Sequence, residues 1–215
     1  MAQVCDKASV LRTIGLIAAA INDQKDYLTE LDAKIGDADH GINLSRGFTA
    51  VQAKLAAAEG QSIGAILKMV GMTLVSTVGG ASGPLYGTAF IEAGNRAGAQ
   101  ETLSASEAAG LFQAALAGII KRGHAAVGDK TMVDALTPVV EFLTSLPEDT
   151  ALKWPDILSQ AADAAHRGME STGPLQALKG RASFLKERSV GHLDPGAVSC
   201  YLMIKTMADA AKNGG

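Results

Sequence analysis

Between Asp32 and Asn43 the chain places three carboxylates, an imidazole and a carboxamide within twelve positions: Asp32-Ala33-Lys34-Ile35-Gly36-Asp37-Ala38-Asp39-His40-Gly41-Ile42-Asn43. Carboxylates crowded together repel, and a hard dication is the usual remedy. On a helix Asp37 and Asp39 would point to different sides. Flanked by Gly36 and Gly41, they fit a loop, where residues two apart can converge. Magnesium takes a few carboxylates together with phosphate oxygens and water, which leaves positions open for a nucleotide. A plainer arrangement competes: a D-x-D pair between glycines also makes a solvated turn, with His40 only capping it. Calcium in an EF-hand is excluded, because the loop spacing and its distal Glu are missing.

Other segments could meet a phosphate. Val78-Gly79-Gly80-Ala81-Ser82-Gly83-Pro84 is a glycine-rich turn feeding a helix, whose free N–H groups and dipole suit an anion. It is not G-x-x-x-x-G-K-[ST], so no P-loop is present, and glycines between helices also serve tight packing. His192-Leu193-Asp194-Pro195-Gly196-Ala197 offers a second helix start, which as a pure cap needs no ligand. Lys179-Gly180-Arg181-Ala182-Ser183 brings a guanidinium to a small-residue turn, either reaching a phosphate or lying in solvent. Around Gly123, Gly128, Lys130 and Thr131, small residues could admit a flat adenine with Met132 packed on it. Met132 could equally be core.

Helices must carry these loops. Leu11, Ile14, Ile17 and Ile21 recur at helical spacing, as do Ile63, Ile66, Leu67, Val70 and Leu74, and then Leu111, Phe112, Ala115, Leu116, Ile119 and Ile120. Further helical stretches are expected near 44–58, 84–97, 130–145, 155–171 and 195–211, with no alternating strand. Asp194 before Pro195 is an N-cap with proline at the first helical position, and Ser82-Gly83-Pro84 is a similar start. Asp129 is expected to cap the helix holding Met132 and Leu136, and Pro138 to kink it. Lys179 to Leu193 lacks clean periodicity, and so long a connection is usually functional or mobile. Hydrophobic residues make up 47% of the 215 and aromatics only 4%, a small-residue composition that suits close helix packing. Residues 1–215 thus read as one all-α domain, an antiparallel bundle or barrel of about eight helices.

The formal net charge of −3, with no basic stripe, gives no reason to expect nucleic acid. No apolar run reaches the roughly 18 residues a membrane span needs. Asp6, Lys7 and Arg12 interrupt any signal-peptide core. Cys5 and Cys200 form no disulfide framework. A soluble cytoplasmic protein is expected.

The motifs, taken in order, resemble those of the ADP-binding L subunits of bacterial dihydroxyacetone kinases. They are Gly36-Asp37-Ala38-Asp39-His40-Gly41-Ile42-Asn43, Gly79 through Gly87, Gly128-Asp129-Lys130-Thr131-Met132, Lys179 through Ser183 and Gly191 through Ala197. The resemblance implies a closed barrel of eight antiparallel helices with the nucleotide at one end. It implies two Mg2+ ions held by Asp32, Asp37 and Asp39, bridging the phosphates of ADP or ATP. His40, Gly41, Ile42 and Asn43 would bind from the phosphate side, with Ala81 and Ser82 from the glycine-rich turn. Gly123 and Met132 would border the adenine, while Arg181, Asp194, Pro195 and Gly196 would close over the nucleotide.

The implied reaction moves a phosphoryl group to dihydroxyacetone held on a separate K subunit, so this protein needs no nucleophile of its own and is inactive alone. In one version of the family ADP is retained and rephosphorylated by a phosphohistidine-bearing M subunit of the sugar phosphotransferase system. In the other, ATP exchanges as a substrate. A K subunit accepting erythrulose or another small ketose is an alternative. So is an ADP-bound regulatory module that acts on a transcription regulator.

Overall fold

The helical stripes become the inner faces of a ring. Ile14, Ile17 and Ile21 are buried, as are Ile63, Ile66, Leu67, Val70 and Leu74, and likewise Leu111, Leu116 and Ile119. Ile120, by contrast, stays 39% exposed, so the third stripe is narrower than its spacing suggests.

The computed structural model describes residues 4–213. Nine α-helices lie among the described residues: α1 Lys7–Asp23, α2 Lys25–Ile35, α3 His40–Gln52, α4 Ile63–Thr77, α5 Ser82–Ala97, α6 Ala105–Gly123, α7 Met132–Ser145, α8 Trp154–Ser171 and α9 Pro195–Asn213. Short 3-10 turns cover Ala56–Ala58 and Arg181–Ser189. A two-residue strand β1, Cys5–Asp6, pairs antiparallel with β2, Thr102–Leu103, a contact too short to leave an alternating pattern.

Eight helices close the ring. Each packs on the next in the order α1, α3, α4, α5, α6, α7, α8, α9, and α9 packs back on α1. The ninth, α2, lies outside this order, against α3, α9 and the 3-10 segment. Small residues permit the tight approach of α4 and α5: a Cβ on Gly71 would sit 2.6 Å from the Gly87 carbonyl oxygen. An apolar cavity of about 600 Å³ lies within the ring, lined by residues that include Ile17, Leu67, Phe90, Phe112, Leu136 and Met203. No helix among the described residues is long and apolar enough to cross a membrane.

One local expectation is corrected. The cap of α7 is Thr131, not Asp129. The Thr131 hydroxyl receives Val133 N–H, and Asp134 returns a bond to Thr131 N–H, while Asp129 instead takes Ala126 N–H at 2.8 Å. A hydroxyl and a carboxylate three residues apart form a reciprocal pair that a lone aspartate further upstream cannot match. Pro138 lies inside α7, which continues past it to Ser145. The missing N–H leaves the Asp134 carbonyl free within the helix, and Gly168 of α8 packs directly against that carbonyl.

Candidate functional site

Asp32 sits on the last turn of α2 and is 8% exposed. Its Oδ2 accepts Asp39 N–H at 2.9 Å and His40 N–H at 3.2 Å. Those amides open α3, so a carboxylate from the preceding helix caps it. Asp39, at the N-cap position, makes no capping bond of its own, and its carboxylate is left for other partners. Between them Ala38 is held at φ 60°, the left-handed region where a non-glycine residue is strained. The turn brings one ligand atom each from Asp32, Asp37 and Asp39 within 4.8 Å of one another. Arg181 Nε reaches Asp37 Oδ2 at 2.9 Å from the long α8–α9 connection. Three carboxylates facing one guanidinium leave excess negative charge, and the donors are all oxygen. That set matches magnesium in both charge and hardness.

His40 starts α3, and its ring is buried in the wall. Nδ1 pairs with the Ser82 hydroxyl at 3.0 Å and Nε2 with the Ser199 hydroxyl at 2.9 Å. Ser199 in turn meets Tyr86 Oη at 2.7 Å, and Tyr86 donates to the Gly196 carbonyl at 3.0 Å. Burial pushes the imidazole pKa down to about 4, against the opposing pull of Asp32, so the ring is neutral near pH 7. Gly41 backs onto Lys25 O and Thr29, where any Cβ would collide, and Ile42 stands 49% exposed at the rim. Asn43 Oδ1 accepts Arg46 Nη2 at 2.7 Å, while Arg46 Nε holds Thr77 O at 2.8 Å, joining α3 to the end of α4. Gly79 passes so close that a Cβ there would lie 3.0 Å from Asn43 Oδ1. Ala81 is the N-cap of α5 and offers no side-chain bond, which leaves that turn's amides exposed as donors.

On the far side, Gly123 ends α6, followed by His124 in the left-handed conformation. Met132 opens α7, 5% exposed and close to Gly196. Pro195 and Gly196 open α9, capped by Asp194 through a 2.7 Å bond from Ala197 N–H. The Asp194 residue is partly exposed, but its carboxyl turns inward. Burial raises its pKa to about 7, moderated by the Ala197 amide and Lys130 and reinforced by Asp134 and Asp32. The contacts of His40, Ser82, Met132 and Gly196 put the starts of α3, α5, α7 and α9 at one end of the ring. Four positive dipole ends thus share a mouth with the three aspartates.

Of the candidate site residues, contacts place Asp32, Asp37, Asp39, His40, Ser82, Met132, Arg181 and Gly196 around this mouth, and Gly123 lies against Leu85 near the start of α5. Tyr86 entered only as part of a motif, without a role, and Ser199, Arg46 and Asp134 were not singled out. Thr131 and Asp134, three apart, carried the capping-box signal that would have shown the last of these.

The fold is an all-α barrel with three clustered carboxylates and the starts of four helices at one end. The chain belongs to the DAK2 domain family, whose model matches residues 34–209. It is 50% identical over 189 residues to the "PEP-dependent dihydroxyacetone kinase, ADP-binding subunit DhaL" of Escherichia coli (strain K12), covering 88% of this protein and 90% of that one. It is 42% identical over 202 residues to the "PEP-dependent dihydroxyacetone kinase 1, ADP-binding subunit DhaL" of Listeria innocua, covering 94% and 96% of the two proteins. Among solved structures it resembles the dihydroxyacetone kinase from C. freundii in complex with AMP-PNP and Mg2+, with a TM-score of 0.71 and 27% identity. That match covers 97% of this protein but only 35% of the C. freundii polypeptide, so this protein spans about a third of that enzyme.

Proposed function

We propose that the mouth binds ADP or ATP with two Mg2+ ions, and that the protein is the nucleotide-binding subunit of a dihydroxyacetone kinase. The observation that carries this reading is the convergence of Asp32, Asp37 and Asp39, within 4.8 Å, on the end where four helices begin. A diphosphate needs cations and oriented N–H donors together, and the mouth offers carboxylates for the first and helix-start amides for the second. Asp32, Asp37 and Asp39 would hold the ions, which neutralise phosphate charge when bound. His40, Gly41, Ile42 and Asn43 would line the phosphate side, Gly41 and Ile42 with their amides since those of His40 and Asn43 are already bonded to Asp32 and Asp39, and the amides of Ala81 and Ser82 would join them. Asn43 is held for that task by Arg46, and the His40 ring keeps α3, α5 and α9 in fixed relation. Gly123 and Met132 would flank the adenine, and Arg181 with Asp194, Pro195 and Gly196 would cover the nucleotide.

No side chain of the mouth is needed as a nucleophile. The phosphoryl acceptor would be dihydroxyacetone carried on a separate K subunit, consistent with a protein that matches one third of the longer C. freundii enzyme. The relatives matched along most of their length are named PEP-dependent or PTS-dependent, which supports ADP as a retained cofactor rephosphorylated by a phosphohistidine M subunit. Two experiments test this. Purified protein should retain ADP through gel filtration and dialysis in magnesium and lose it with a chelator. Mixed with K and M subunits and a phosphodonor, it should yield triose phosphate. Absence of triose phosphate in a complete mixture would defeat the enzyme assignment.

A further inference from the structure

Residues 174–190 form a loop whose two roots lie side by side: Gly191 N–H donates to the Gly173 carbonyl at 2.8 Å. Lys130 lies beneath those roots. Its ammonium donates to Thr172 O at 2.6 Å and to His192 O at 2.5 Å, with Gly173 O at 3.5 Å, and so bonds the entry and the exit of the loop at once. The residue is only 1% exposed, unusual for a lysine. It also stands at φ 63°, a strained conformation for a residue with a Cβ. Asp134 braces the turn that presents it, taking Gly128 N–H at 2.6 Å and Thr131 N–H at 2.7 Å.

The rest of the loop has slighter attachments. Leu178 N–H reaches Asp129 O at 3.1 Å, and Ala177 and Ala182 make a small cluster with Ile35 of α2. Arg181 meets Asp37 at the metal-ligand cluster, while Phe184 at the crest is 83% exposed. A buried ammonium holding both roots is the strongest single constraint on where Arg181 stands, since charge-assisted bonds in a dry site exceed the exposed pair at the tip. Three converging carbonyl acceptors also suit a compact ammonium better than a planar guanidinium.

We propose that Lys130 is a positioning residue that clamps the roots of the 174–190 loop and thereby sets how fast a nucleotide leaves the mouth. The release half of this inference rests on the nucleotide reading above. The clamp half rests on the carbonyl contacts alone.

The test compares the protein with its Lys130→Met variant, which keeps the apolar stem and removes the donors. Hydrogen exchange without nucleotide should quicken by roughly tenfold or more across 174–190, as expected for loss of charged hydrogen bonds, and stay unchanged in α4 and α5. Release of a pre-bound fluorescent ADP analogue with magnesium should accelerate by about the same factor, with little change in association rate. A folded variant with unaltered loop exchange and release overturns the proposal. If the variant does not fold, the native protein decides. Acylation of Lys130 by acetic anhydride, read by mass spectrometry, should proceed only as fast as the loop amides exchange. Labelling of Lys130 while those amides stay protected refutes the clamp. Native protein that binds no ADP analogue overturns the nucleotide reading and the release claim together, and loop exchange still reports on the clamp.

Discussion

The mouth has two unlike sides. One is a wall: His40, Ser82, Ser199 and Tyr86 link the starts of three helices through short bonds between buried groups. The other is a strap, residues 174–190, pinned at its roots by Lys130 and touching the aspartates through one largely exposed ion pair. The wall's bonds cannot break without leaving buried polar atoms unpaired, whereas the strap's tip can be released into water at little cost. Fixed donors and a releasable cover in one site permit tight positioning without permanent closure.

Breaking the site itself should have the largest effect. Asp37→Ala removes one of the three carboxylates, and magnesium-dependent ADP binding should weaken by about a hundredfold or more, by calorimetry, as expected for a lost metal ligand. Helical circular dichroism should persist, and the metal-free midpoint should hold or rise as carboxylate repulsion is relieved. ADP binding that survives in this variant removes Asp37 from the site.

Tyr86→Phe tests the wall. It strips a hydroxyl that donates to Gly196 O and should cost about 1–3 kcal/mol in urea unfolding, with ADP release little altered. Arg181→Ala tests the strap and should do the reverse. Stability should change by less than about 1 kcal/mol, because the pair with Asp37 is exposed, while ADP release quickens. Were the two variants to exchange these phenotypes, the division into wall and strap would be wrong.

The smallest effect concerns pH. The folded state raises the Asp194 carboxyl from 3.8 to about 7, so the folded protein binds more protons than the unfolded chain between those values. Its contribution to stability is therefore fully present below pH 4, falls as pH rises towards 7, and is flat above. Asp194→Asn keeps an acceptor for Ala197 N–H. Its melting temperature relative to the native metal-free protein should be more favourable at pH 7 than at pH 5. A gap that does not vary with pH counts against the buried carboxyl.

Much of this was legible because it repeats. Ile63, Ile66, Leu67, Val70 and Leu74 declare α4 by spacing, and Asp194-Pro195 declares the start of α9. The α2 helix escaped although Leu28, Leu31 and Ile35 form a buried stripe, because charged and polar residues around them dilute it. That helix carries Asp32, so the aspartates were recognised while the element presenting one of them was not. The partners within the mouth were hidden for a different reason. Tyr86 and Ser199 lie 113 positions apart, and only the closing of the ring joins them. Lys130 carried no sign of burial, since lysines normally keep their charge in water.

Asp32 caps α3 with the same carboxylate that the proposed ion would need. Its Oδ2 takes both opening amides of α3, so the α2–α3 junction and any dication at the aspartates draw on the same group. Binding and folding are then linked, and the linkage is reciprocal. An ion that prefers the folded junction adds to the unfolding free energy, by about 2.7 kcal/mol at a hundred times its Kd, and the melting temperature rises with its free concentration. Buffer magnesium would set the heat tolerance of this protein as much as its occupancy, and a chelator would act as a mild denaturant localised to one corner of the barrel.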